Sequence, residues 1–213
     1  MASSRPRKSN EQPGPVRERL LAVATRLFAQ GGFRGTTVDE IVAAAGVNKR
    51  MVYHYFGDKE HLYHAVLVEA YHGLEAVEIG TLGQTADIDA LAAAIVRAYF
   101  EFLEAHPEFV RLLLWENLND GRGLAQIGSQ LSKDPMLQLL QRLLADGIKA
   151  GRIRPDMDAR HLLISIIGLC LVYSSNRFTL SQALKLDLGS PRVRADGIRH
   201  VTRLLLDGIK ARD

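Results

Sequence analysis

The chain has 213 residues, 47% of them hydrophobic, which is enough for a small domain and a larger one with packed cores and excludes a disordered chain. A single cysteine excludes an intramolecular disulfide and fits a reducing compartment, and no apolar run of about 18 residues marks a membrane span. The net charge of +3 is unevenly placed: residues 1–60 carry ten basic against six acidic side chains and the remainder 17 against 18, which suits phosphate attraction near the N-terminus and equally a chance imbalance on a solvated surface.

Residues 1–13 are polar, include Pro6 and Pro13, and lack the apolar core of a signal peptide. They are expected to form a disordered basic arm on a cytoplasmic protein. Arg5, Arg7 and Lys8 suit a DNA backbone or minor groove, or merely a solubilising tail. Residues 15–31 predict the first helix, with Leu20, Ala24, Leu27 and Phe28 as its apolar stripe. Pro15 suits its start and Gly31-Gly32 its end.

The stretch from Thr37 to Phe56 predicts two short helices around a tight turn. Val38, Ile41, Val42 and Ala45 share one face of the first. Thr37 followed by Glu40 three residues later is a capping-box pattern. Gly46 ends the helix, because a left-handed backbone costs glycine least. Asn48 then caps a second helix that buries Val47, Met51 and Val52. Lys49, Arg50, Tyr53 and His54 are left on or beside the open side. A helix, a glycine turn and a helix with exposed cationic and hydrogen-bonding residues suit a DNA major groove.

Asp58 is expected to cap a long helix from Lys59 to about Ile79. His61, His64 and His72 lie along it. They read as packed or solvated histidines, and the pattern fixes no further metal ligand. Further helices are expected over 87–106, 108–119, about 124–131, 134–150, 161–178 and 191–210, the last two joined by a connector with one short helical turn. No strand pattern is convincing. Polar residues within the apolar helices mark a candidate effector pocket: Tyr99, Trp115, Glu116 and Asn119, then Tyr173, Asn176, Arg177 and Phe178. The alternative is ordinary core filling, with Glu116 and Arg177 as an internal ion pair. Leu162, Ile166, Leu169, Val201, Leu204 and Leu205 form either a seam between two copies or an interior face of one.

GFRGTTVDEIVAAAGVNKRMVYHYFGDKEHLY (32–63) resembles the DNA-binding domain of TetR-family transcriptional regulators. The shared marks are Gly32-Phe33, Gly35-Thr36-Thr37-Val38, Ile41, Ala45-Gly46-Val47, Tyr53-His54-Tyr55-Phe56, Lys59 and Leu62. Asn48 and Arg50 stand where the family often has serine and a small residue. The resemblance implies an all-α chain: a three-helix helix-turn-helix DNA-binding domain over 14–60, then a larger helical effector-binding and dimerisation domain over 61–213. It also implies that residues 161–178 and 191–210 pair with their copies in a homodimer, and that the long helix starting at Lys59 points its N-terminus at phosphate.

The function expected is a sequence-specific regulator, a dimeric repressor on a palindromic operator that a small-molecule effector releases. Lys49 and Arg50 are expected to read base edges, Thr36, Thr37, Tyr53, His54 and Lys59 to hold phosphates, and Asn48 to complete the set as the cap. The alternative is a helical enzyme or an interaction module using a pocket near Glu116. No Gly-rich phosphate loop, HExxH, CxxC or GxSxG motif occurs, and neither cofactor nor catalytic residue is expected.

Overall fold

In the computed structural model, which describes residues 14–82, 87–131 and 133–211, Pro15 opens α1 (Pro15–Gly35). The expected arm, residues 1–13 with Arg5, Arg7 and Lys8, lies outside the described residues. Leu20, Ala24 and Phe28 of the apolar stripe are fully buried. The helix breaks at Gly32, whose φ of 66° and ψ of 179° suit glycine and strain any other residue. Helical turns resume to Gly35, past the expected stop, because Thr36 donates its hydroxyl to the carbonyls of Leu27 and Gly32 and closes the break. Two short helices pack on α1: α2 (Val38–Ala45), through buried Ile41 and Ala45, and α3 (Arg50–Phe56), through buried Val52.

Asp58 caps α4 (Lys59–Leu82), its Oδ1 accepting the His61 N–H at 2.8 Å. Leu62, Tyr63 and Val66 are buried, and the Tyr63 ring meets Phe28 edge-on at 4.9 Å. These residues belong to a first compact unit that ends at Val66. The second begins at Leu67, so α4 contributes residues to both.

The second unit comprises the rest of α4 and α5 (Ile88–Ala105), α6 (Pro107–Leu118), α7 (Arg122–Ile127), α8 (Asp134–Lys149), α9 (Ala159–Ser175), α10 (Arg177–Leu184) and α11 (Pro191–Ile209). Among the described residues there is no strand, only an isolated bridge between Ile153 and Lys210. α5 packs against both α9 and α11, and α6 and α8 pack on α9. Side-chain caps form here: Asp87 accepts the Ala90 N–H, Asp158 those of Arg160 and His161, and Ser190 that of Val193.

The chain departs from the expected helix over 161–178. α9 stops at Ser175 and bends by 76° into α10. At the bend the Ser175 hydroxyl donates to the Asn176 Oδ1 and the Thr179 hydroxyl to the Asn176 carbonyl. The connector is accordingly an eight-residue helix, not a single turn. The apolar seam also divides. Ile166, Val201 and Leu205 are buried within the chain, Leu162 and Leu169 are half-buried, and Leu204 keeps 49% exposure.

The core of the second unit holds two carboxylates, Glu78 and Glu116. Glu78 has 0% exposure and is held by the Tyr99 hydroxyl and the Lys133 ammonium, partners that meet the need of a buried charge. Burial, then Glu78, pushes the Tyr99 phenol well above its ordinary range. Cys170 is buried, and burial pushes its thiol up to about 12. Because the folded state keeps the proton, this contribution to stability is intact below the ordinary thiol value of 9.0 and is lost as pH rises toward about 12. Iodoacetamide at pH 8.5 should therefore leave Cys170 unlabelled in the folded protein, with about one thiolate in a thousand or fewer, and label it on unfolding. Rapid labelling of the native chain counts against this burial.

Candidate functional site

The turn between α2 and α3 is closed at both ends. Thr37 accepts the Glu40 N–H at 3.2 Å, and the Glu40 carboxylate accepts from the Thr37 N–H at 2.7 Å and from its hydroxyl at 2.8 Å. The first of these groups, the Thr37 backbone N–H, holds the Glu40 carboxyl below its ordinary value of 4.5. Gly46 then turns left-handed at φ 63° and ψ 40°, sending its N–H to the carbonyls of Ala43 and Val42. The regular bonds of α3 begin at Arg50, but Lys49 already has helical angles. Asn48 Oδ1 accepts the Arg50 N–H at 2.9 Å and is the working cap.

This anchoring leaves Asn48, Lys49, Arg50, Tyr53 and His54 exposed, with Tyr53 at 52%, while Val47 and Met51 are half-buried behind them. Lys49 pairs with Asp39 of α2 at 2.8 Å, and the carboxylate holds the ammonium above its usual range. The Arg50 guanidinium has no ion-pair partner among the described residues. His54 packs edge-on against Tyr55. Cations and hydrogen-bonding tips on one exposed turn of helix form a surface that suits phosphate and base edges.

Two expected contacts sit differently. Thr36 is 3% exposed and its hydroxyl is committed to backbone carbonyls, so it shapes the end of α1 and does not reach the surface. Lys59 is half-buried, its ammonium 4.4 Å from the Phe33 ring centroid, and burial lowers its pKa. Asp39 was missed by sequence reasoning. A lone acidic residue in the first turn of a helix reads as a dipole partner, and only the folded turn brings Lys49 to it.

The eight residues expected around an effector do not converge. Tyr99 is tied to Glu78. Glu116 is buried and accepts the Leu124 N–H at 3.0 Å, while Arg177 is exposed over the Phe178 ring, so the expected internal pair gives way to a backbone tether. Asn119 donates to the Trp115 carbonyl and closes α6, with Trp115 half-buried one turn earlier. Asn176 sits at the α9–α10 bend. Tyr173, Arg177 and Phe178 do come together, on a partly open cavity that α5 and α6 also line. A second, narrower cavity is almost wholly aliphatic, with Leu91, Ile95, Leu140 and Ile166 in its wall and Asp146 and Arg152 as its ionic residues. No motif announces it, because its residues are ordinary helix-facing aliphatics. Among the described residues, no group of three His, Cys, Asp or Glu side chains is placed to hold a metal. His61 bonds to Asp58 and His72 to the Gln130 carbonyl.

Residues 20–66 match the family model described as bacterial regulatory proteins, tetR family, and residues 89–205 match the one described as Tetracyclin repressor-like, C-terminal domain. The chain belongs to the TetR family. The HTH-type transcriptional repressor NicS of Pseudomonas putida is 30% identical to it, over 94% of this chain and 95% of that protein. Two solved structures share the fold. The fatty acid degradation regulator FadR of Bacillus halodurans has a TM-score of 0.71 at 23% identity, covering 95% of this chain and 100% of that one. FadR of Bacillus subtilis, in complex with stearoyl-CoA, has a TM-score of 0.68 at 22% identity, covering 90% and 98%.

As a TetR-family member the chain is a sequence-specific DNA-binding transcriptional regulator, and the family and these relatives are regulators, which are not enzymes. No single helix among the described residues is long and apolar enough to cross a membrane. The residues that orient α3 in this TetR-family unit are the caps. Thr37→Ala should cost about 1 kcal/mol in urea unfolding, the usual worth of such a cap. Glu40 adds a pH signature: its contribution is present above the ordinary carboxylate value of 4.5 and is lost as pH falls through the lowered folded value. A Thr37→Ala variant with unchanged stability and an unchanged acid limb would remove the capping box from this account.

Proposed function

We propose that the chain is a dimeric cytoplasmic repressor whose α3 reads a palindromic operator and which a small molecule releases. The observation that carries this reading is the exposed face of Lys49, Arg50, Tyr53 and His54 behind a fully capped turn. Arg50, with no ionic partner among the described residues, reads a base edge, and guanine presents the acceptor pair a guanidinium matches. Lys49 exchanges Asp39 for DNA. Thr37, Tyr53, His54 and Lys59 hold phosphates and set the register, with Asn48 fixing the start of the reading helix.

Dimerisation through α9 and α11 draws support from the apolar side chains that remain exposed there, Ile164 at 65% together with Leu204. Two reading helices then serve half-sites roughly 34–36 Å apart or a multiple of that spacing. The effector occupies the cavity beside Tyr173, Arg177 and Phe178. It releases DNA only by binding the poorly DNA-binding conformation more tightly than the competent one. The stearoyl-CoA complex of the Bacillus subtilis relative supports the idea that a helical unit of this architecture holds a ligand.

Selection of bound fragments from random duplex DNA with the purified chain should return a two-fold symmetric consensus; enrichment of no motif sinks the proposal. Arg50→Ala should relax one position per half-site and cost about 1–3 kcal/mol on the consensus, whereas equal loss on every sequence assigns Arg50 to phosphate. Asp39→Asn should do the reverse. Freeing Lys49 raises affinity for random duplex and steepens the salt dependence by about one unit in log–log slope. An unchanged slope means that Asp39 does not compete with phosphate for Lys49.

A further inference from the structure

The cavity beside Tyr173 carries charge that its own walls do not neutralise. Three guanidinium groups line it, from Arg111, Arg177 and Arg194, against one carboxylate, Glu104. Glu104 pairs with Arg194. Arg111 and Arg177 have no ion-pair partner among the described residues. The two uncompensated cations, Arg111 and Arg177, repel each other, and the arrangement is stabilised when an anion enters.

Arg177 is seated. Its guanidinium lies 5.7 Å from the Phe178 ring centroid and rests on Gly189, where a Cβ would collide with it. That glycine is itself fixed, its N–H donating to Asp187 at 2.9 Å, and the Leu188 N–H donates to the Ser181 hydroxyl at 3.1 Å. α10 and the turn after it therefore place the cation at the rim of the cavity. The remaining wall is aromatic and aliphatic. The Phe100 and Tyr173 rings stand 5.0 Å apart, and Tyr173 packs on Gly197, where a side chain would displace it. The Tyr173 hydroxyl has no hydrogen-bond partner among the described residues.

We propose that this cavity binds an organic carboxylate with a ring-sized apolar body. Arg177 takes the carboxylate, because a planar fork matches its two oxygens, and Arg111 supplies the second positive charge. The body lies against Phe100 and Tyr173, whose faces favour flat apolar surface. The regulatory consequence rests on the effector reading above; the binding does not.

The test uses the full chain and 2-naphthoate, with 2-naphthamide as its neutral counterpart, octanoate as an unringed acid and inorganic phosphate as a bodiless anion, all followed by calorimetric titration. Naphthoate should saturate one site per chain, with octanoate and phosphate weaker and the amide weaker by about 10- to 100-fold, the worth of hydrogen bonds to a charged group. Arg177→Gln and Arg111→Gln should each reduce the preference for acid over amide, and Gly189→Ala should reduce it by displacing Arg177. Arg152→Gln, in the aliphatic cavity, should leave it unchanged. Equal affinity for acid and amide, a preference that survives both arginine changes, or no saturable binding of naphthoate overturns the proposal. So does loss of dimer mass in Arg177→Gln by sedimentation, which assigns the cavity to a subunit contact. Naphthoate binding with the expected preference but without release of operator DNA leaves the ligand class standing and removes the effector reading instead.

Discussion

Everything the first unit presents to solvent depends on one residue, Gly46, whose backbone turns left-handed between two helices too short to persist alone. α2 has eight residues and α3 seven. Neither has the length to offset its own nucleation cost, so each relies on end capping and on apolar residues pressed against α1. Thr37 with Glu40 closes one end, Asn48 starts the next helix, and Ile41, Ala45 and Val52 are buried. With the inner face committed, the outer face has a fixed composition: cationic and hydrogen-bonding tips on a rigid turn. A reading surface needs that rigidity, because hydrogen bonds to base edges discriminate only when their donors are already in position.

The second unit solves another problem with polar groups that look, in isolation, like a binding site. Tyr99 and Glu116 are core residues whose polar atoms tether helices. Glu78, buried between a phenol and an ammonium, belongs to the same class. A buried polar atom must be paired, and the nearest available partner is usually protein. Part of the wall is left incompletely matched. That is the region around Arg177, where α9 bends and cations outnumber carboxylates.

The legibility of the site follows the range of the forces involved. The Thr37–Glu40 box, the Gly46 turn, the Asn48 cap and the Asp58 cap act within four residues, so residue type and spacing disclose them. Thr36 was misread because its partner carbonyls, Leu27 and Gly32, lie across a break in α1 that residue type alone does not place. The Lys49–Asp39 pair joins two helices through the turn. The helix expected over 161–178 looked continuous because its apolar run continues. The chain nonetheless bends after Ser175, a change of direction that hydrophobic spacing does not register.

The amino-acid order by itself determined the all-helical class, the position of α3 and the identity of its exposed cations, because periodicity, capping and glycine turns are local properties of the chain. Only the tertiary structure decided which polar residues in the apolar helices are consumed inside the core and which line a cavity. It also decided which half of the α9 and α11 apolar surface turns inward. Those outcomes depend on partners far apart in the chain, such as Lys133 for Glu78 or Gly189 for Arg177, and distance in sequence carries no information about which of many compatible groups will be adjacent once the helices pack.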